Sequence, residues 1–133
     1  MLNVYFAIAA NRVIVDSISN QVSIIDLFEQ LKAPSFPVLV PRLTLLYYVS
    51  RDKGDPATKD LMVVCKLGET EICKVAVTVD FKAEDSTRIV LGIDGLTLTQ
   101  PGIFQAHLMD EEVSLGVLDL NVVETKPTNS VAT

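Results

Sequence analysis

Pro101-Gly102-Ile103-Phe104-Gln105-Ala106-His107-Leu108-Met109-Asp110-Glu111-Glu112, continued by residues 113–123, decides how the rest of the chain is read. Pro101-Gly102 is turn chemistry, Phe104, Ala106 and Leu108 alternate with Gln105, His107 and Met109, and Asp110-Glu111-Glu112 is an acidic turn before a second apolar run. Two alternating runs joined by a short polar turn predict an antiparallel hairpin with one face inward. In its second arm Leu118, Leu120 and Val122 share the inward face, and Val113 and Leu115 belong to the same apolar pattern. Leu115 and Leu118 stand three apart, a step that a regular strand cannot place on one face. A β-bulge is therefore expected at or beside Gly116.

The same alternation extends backwards from that hairpin. Residues 60–67, the turn Gly68-Glu69-Thr70-Glu71 and residues 72–81 form another, with Cys73, Val75, Val77, Val79 and Phe81 inward and Lys74, Thr78 and Asp80 outward. Residues 42–50 read as a strand covered on both faces, with Leu43, Leu45, Tyr47 and Val49 on one side and Leu46 and Tyr48 on the other. A polar loop follows over residues 51–59. Residues 82–86 turn the chain into a strand over 87–93, which Asp94-Gly95 is expected to end.

Near the start, Val4, Phe6 and Ile8 fall on one side of a strand that residues 13–15 extend, before the turn Asp16-Ser17-Ile18-Ser19-Asn20. Residues 21–25 read as strand, and the spacing of Ile24, Leu27, Phe28 and Leu31 predicts a short helical turn over 27–31. Ala33-Pro34-Ser35-Phe36-Pro37-Val38-Leu39-Val40-Pro41 contains three prolines, which remove backbone donors and force extended geometry before each ring, so a crossover loop is expected. The count is about eight strands with short connections. It predicts an all-β fold, an antiparallel β-sandwich of immunoglobulin-like or C2-like architecture, filling residues 1–123, with a flexible tail over 124–133.

At 133 residues the chain suits one domain with its own core. Its apolar fraction of 49 % comes with no Trp and few aromatics, so Val, Ile and Leu must fill that core. A mean hydropathy of +0.37 fits an efficiently filled sandwich first, and apolar surface buried against a partner or a second copy as the alternative. Net charge is −6 and the cations are scattered, which argues against a nucleic-acid partner. The apolar opening, residues 1–10, lacks a basic leader and meets Asn11-Arg12 before a membrane span is complete, so a cytoplasmic location with reduced thiols is expected.

Chemistry-bearing residues are isolated in this pattern. His107 is the single histidine and falls on an outward strand face, while Ser35 lacks the glycine spacing of a nucleophile elbow. Neither forms a catalytic set, so no enzyme activity, cofactor or metal is expected. Cys65 and Cys73 flank a tight turn and are expected opposite one another, as core thiols. The turns at Asp16, 52–60, Glu84-Asp85 and Asp110-Glu111-Glu112 are expected at one end of the sandwich, where calcium is the ligand to weigh. At the opposite end the loop Pro34, Ser35, Phe36, Pro37, Val38 and Leu39 reads first as a cap closing the open end of the sandwich, and it is also the candidate interaction surface, because a rigid extended segment loses little entropy on docking.

Ile24-Ile25-Asp26-Leu27-Phe28, then Ala33-Pro34-Ser35-Phe36-Pro37 and Pro41-Arg42, together with the hairpin over residues 102–123, resemble a family of uncharacterised bacterial proteins. The resemblance implies a compact β-sandwich and brings no assigned activity. Asp26 departs from it, standing where a small residue such as Gly is expected. The reading that follows is a non-catalytic protein-interaction or accessory module, partnered or self-associating, with a small-ligand or calcium-binding sandwich as the alternative.

Overall fold

The computed structural model describes residues 1–125, and all nine elements among them are strands. In chain order they are β1 (Asn3–Val15), β2 (Val22–Leu27), β3 (Gln30–Ala33), β4 (Val38–Ser50), β5 (Thr58–Leu67), β6 (Thr70–Asp80), β7 (Ser86–Leu98), β8 (Gly102–Asp110) and β9 (Val113–Glu124). A four-stranded sheet ordered β2-β1-β4-β7 packs on a five-stranded sheet ordered β3-β9-β8-β5-β6. Every pairing is antiparallel except β3 with β9. The β-sandwich is therefore as the alternation implied. Glu124, expected to begin the tail, instead closes β9, and the rest of that expectation, over residues 126–133, lies outside the described residues.

The inner faces follow from period-two alternation. Leu43, Leu45, Tyr47 and Val49 of β4 face Val63 and Cys65 of β5 and Phe104, Ala106 and Leu108 of β8, all fully buried. Each aliphatic side chain so buried contributes about 2 kcal/mol from removal of apolar area. The bulge expected beside Gly116 is present: Leu108 pairs with Gly116 and Met109 with Ser114, leaving Leu115 as the extra residue. Leu115 and Leu118 thereby both reach the core.

Four local expectations are corrected. Val4 pairs with Val49 but Phe6 with Tyr48, so Tyr5 is an extra residue in β1 and the inward set is Val4, Ala7 and Ala9, not Val4, Phe6 and Ile8. The helical turn over 27–31 is absent, because Gln30–Ala33 pairs with Asn121 to Glu124 and buries Leu31 and Ala33 in strand alternation. Asp94-Gly95 does not end the strand: Gly95 takes φ +77° while pairing resumes on both sides of it, at Arg42 with Asp94 and Val40 with Leu96. The proline segment is a loop only over residues 34–37, which carries the chain from the five-stranded sheet to the four-stranded one. Val38 to Pro41 belongs to β4, a stretch where β1 has already left and a proline is tolerated on the open edge.

That departure of β1 shapes the rest of the molecule. Its pairing with β4 ends at Ala10 and Thr44, while its pairing with β2 runs from Ala10 and Leu27 to Val15 and Val22. Extended straight, five strand residues at ~3.3 Å each would carry the β1–β2 turn away from the Arg88 end of β7. Instead Arg88 Nη2 donates to Asn20 Oδ1 in that turn. The β1–β2 hairpin therefore folds back as an arm across the outer face of the four-stranded sheet. Ala10, Thr44 and Leu46, on that face, are buried as a result, and Thr44 Oγ1 donates to the Asn11 carbonyl at the bend. Asp26 adopts φ +55° there, which is why a glycine suits this position.

Candidate functional site

The loop nominated from sequence divides in two. Phe36 and Val38 are half-buried and pack on the core, closing the end of the sandwich, whereas Pro34, Ser35, Pro37 and Leu39 are exposed. Leu39 presents 59 % of its surface to solvent. Beside this loop a cleft of about 320 Å³ opens between the free edges of β3 and β4, with Phe28, Leu31, Val38, Val40, Leu98 and Val122 among its walls. It exists because β3 is the last strand of one sheet and β4 has lost β1 as a neighbour beyond Thr44.

The remaining reactive groups stay apart. His107 lies on the outer face of β8 with Nδ1 3.4 Å from Ser114 Oγ and Nε2 3.4 Å from Gln105 Oε1. Ser35 is exposed in its loop, and no hydrogen bond joins it to the imidazole. Cys65 and Cys73 are direct cross-strand partners, reached through a two-residue turn and a bulge at Ile72. Both are free, and burial, then Cys73, pushes the Cys65 thiol up to about 12. A thiol so shifted is a poor nucleophile at neutral pH.

Three of the four acidic turns do share an end: Arg51 N–H donates to the Asp85 carbonyl, Phe81 N–H to that of Ala57, and Lys59 sits 3.6 Å from Asp110, while the Asp16 turn belongs to the arm. Their carboxylates are nonetheless dispersed. Asp52 and Asp55 contact the Met1 amino group, at 3.1 and 3.0 Å, and the Asp55 carboxyl is held below its ordinary value first by the Asp52 N–H and then by that amino group. Among the described residues no group of three or more His, Cys, Asp or Glu side chains is placed to hold a metal. A broad groove of about 770 Å³ crosses the outer face of the five-stranded sheet, floored by Met62, Val64 and Met109 and flanked by Asp60, Lys74 and Glu111.

The arm was not nominated from sequence. Ile14, Val15, Ile24, Ile25 and Leu27 each leave about two fifths or more of their surface exposed, and Ile18 at its tip is 95 % exposed. The tip is ordered: Asp16 Oδ1 accepts from the Ile18 and Ser19 N–H groups, and these bonds lower its carboxyl. β2 ends the four-stranded sheet and carries no Lys, Arg or Pro, and its one charge, Asp26, sits at the bend. Other free edges carry such protection, β6 in Lys74 and its bulge, β3 in Lys32 and brevity, β4 in Pro41, and β7, at the far side of the same sheet, in Arg88, Asp94 and the left-handed Gly95. The signal available in sequence was the unbroken Val22-Ser23-Ile24-Ile25 run beside a polar turn.

A family profile described as "Family of unknown function" (DUF6941) matches residues 5–123, nearly all of the two sheets. The chain belongs to DUF6941. No curated protein matches it. The DUF6941 region begins inside β1 and ends one residue short of the end of β9, so arm, cleft and groove all lie within it. No helix among the described residues is long and apolar enough to cross a membrane.

Proposed function

We propose that this domain is a non-catalytic protein-interaction module that assembles with a second copy of itself through the edge of β2. The observation that carries the reading is the contrast between edges. β2 offers a six-residue edge whose backbone groups facing away from β1 are unpaired, with Ile24, Ile25 and Leu27 exposed and no Lys, Arg, Pro or bulge along it; its one charge, Asp26, sits at the bend. Antiparallel pairing of β2 with its own copy across a twofold axis satisfies those groups and buries the aliphatic arm in one step. The dispersal of His107, Ser35 and the carboxylates supports the non-catalytic part of the reading. A cytoplasmic, reducing setting belongs to the same proposal, supported by the two opposed cysteines standing as thiols.

Light scattering across a concentration series tests it. The wild type is expected to approach twice its chain mass at high concentration, and Ile25→Lys, which puts a charge in the paired edge, to remain monomeric with an unchanged circular dichroism spectrum. A wild type that stays monomeric at hundreds of micromolar overturns the proposal.

A further inference from the structure

We infer that the cleft between β3 and β4 is a binding site for a small amphipathic anion, a carboxylate-type head on an apolar body of about ten heavy atoms. Its walls are largely apolar, and the charged side chains lining it are Lys32 and Arg42, with Asn11 and Gln30 adding polar groups and no carboxylate among the described residues that line it. Neither Lys32 nor Arg42 makes an ion pair among the described residues. Two cations beside an apolar slot, on a domain whose net charge is −6, make this a local exception in sign as well as in shape. The larger groove on the other sheet face offers no such choice, since Asp60, Glu111 and Glu112 stand there with Lys74.

Size fixes the ligand class further. A volume of about 320 Å³ lies at the lower end of ligand pockets. At ~30 Å³ for each water-sized group it accommodates about ten, the heavy-atom count of an eight-carbon fatty acid. The cleft also borders unpaired backbone on both sides, at Gln30 to Ala33 and at Val38 to Leu43, so N–H donors are available to the head group alongside the cations. This site adjoins the bend of the arm through Asn11 and Phe28 but includes no residue of β2, and it does not depend on self-association.

Octanoate, octanol and octylammonium share one apolar body and differ in head charge, which makes them the probes. Titrated into the full chain and followed by amide chemical shifts, octanoate is expected to saturate and to move Leu31, Val40 and Leu98. Octylammonium is expected to bind at least tenfold more weakly, with octanol between them. Lys32→Glu with Arg42→Glu, both at exposed positions, is expected to weaken octanoate at least tenfold and to reverse the order of the charged probes. Val40→Phe, which fills the slot, is expected to remove binding of all three. Absence of octanoate shifts at the cleft overturns the inference. So does equal binding of the charged probes, which denotes nonspecific apolar adsorption, or octanoate binding that survives Val40→Phe in a protein shown to be folded.

Discussion

The Tyr47 hydroxyl donates a 2.9 Å hydrogen bond to the Ala106 carbonyl, joining the central strand of one sheet to the backbone of the other through the middle of the core. Both residues are fully buried. Such a bond fixes how the sheets sit on each other as well as how tightly they pack. Tyr47→Phe keeps the ring and removes the donor, so a loss of about 1–2 kcal/mol is expected in urea unfolding, with the m-value unchanged. A loss under a few tenths would show that the carbonyl is satisfied by its ladder alone.

Stability should fall on the alkaline side. Burial raises the Cys65 thiol to about 12 and moves the Tyr47 phenol upward as well, with Cys65 adding to the shift. The unfolded thiol releases its proton near pH 9 and the unfolded phenol near pH 10, while the folded groups keep theirs. The unfolded state then binds fewer protons, so stability is intact below about pH 9 and declines above it. Urea midpoints from pH 8 to 11 check this. Cys65→Ala is expected to flatten the first part of the decline and Tyr47→Phe the later part.

Gly116 is required by an approach between sheets. A Cβ built on it lies 2.8 Å from Val4 Cβ and 3.1 Å from each Val4 Cγ. Gly116→Ala should therefore cost about 1–3 kcal/mol as overpacking. Val4→Ala in the same background removes the two Cγ contacts but keeps the Cβ conflict, so denaturant titration is expected to show only partial recovery.

Asp26 holds a left-handed conformation at the bend of the arm, with φ +55°. Asp tolerates this better than most residues, yet glycine does so without a side-chain penalty. Asp26→Gly is expected to stabilise the protein by a few tenths to about 1 kcal/mol, the left-handed cost less glycine's extra unfolded-state entropy. A thermal melt that moves down instead would indicate that the carboxylate has a role at the bend.

The parts of this fold that were legible are those where local alternation and burial agree. Cys73 to Phe81 and Phe104 to Leu108 are such stretches, and the odd step from Leu115 to Leu118 located a bulge to within one residue. What escaped depends on partners distant in sequence. Leu31 and Ala33 fit a helix or a strand until β9 supplies a parallel neighbour. Tyr5 gives no local sign that it is the extra residue in β1, because only the β4 register reveals it. The proline loop reads in sequence both as a cap and as a docking segment, and Phe36 and Val38 pack on the core as a cap requires. The arm was missed for a related reason: nothing between Asn11 and Asp26 announces that the hairpin folds back over Leu46.

Hydrogen exchange of the β2 amides, measured at low and high protein concentration, tests the central claim most directly. The amides of Val22–Leu27 that face away from β1 have no neighbouring strand among the described residues to protect them. Self-pairing through this edge predicts that their protection rises with concentration, and that Ile25→Lys abolishes the rise while protection of the β4 core is unchanged. Exchange at these amides that is fast and independent of concentration would contradict the account.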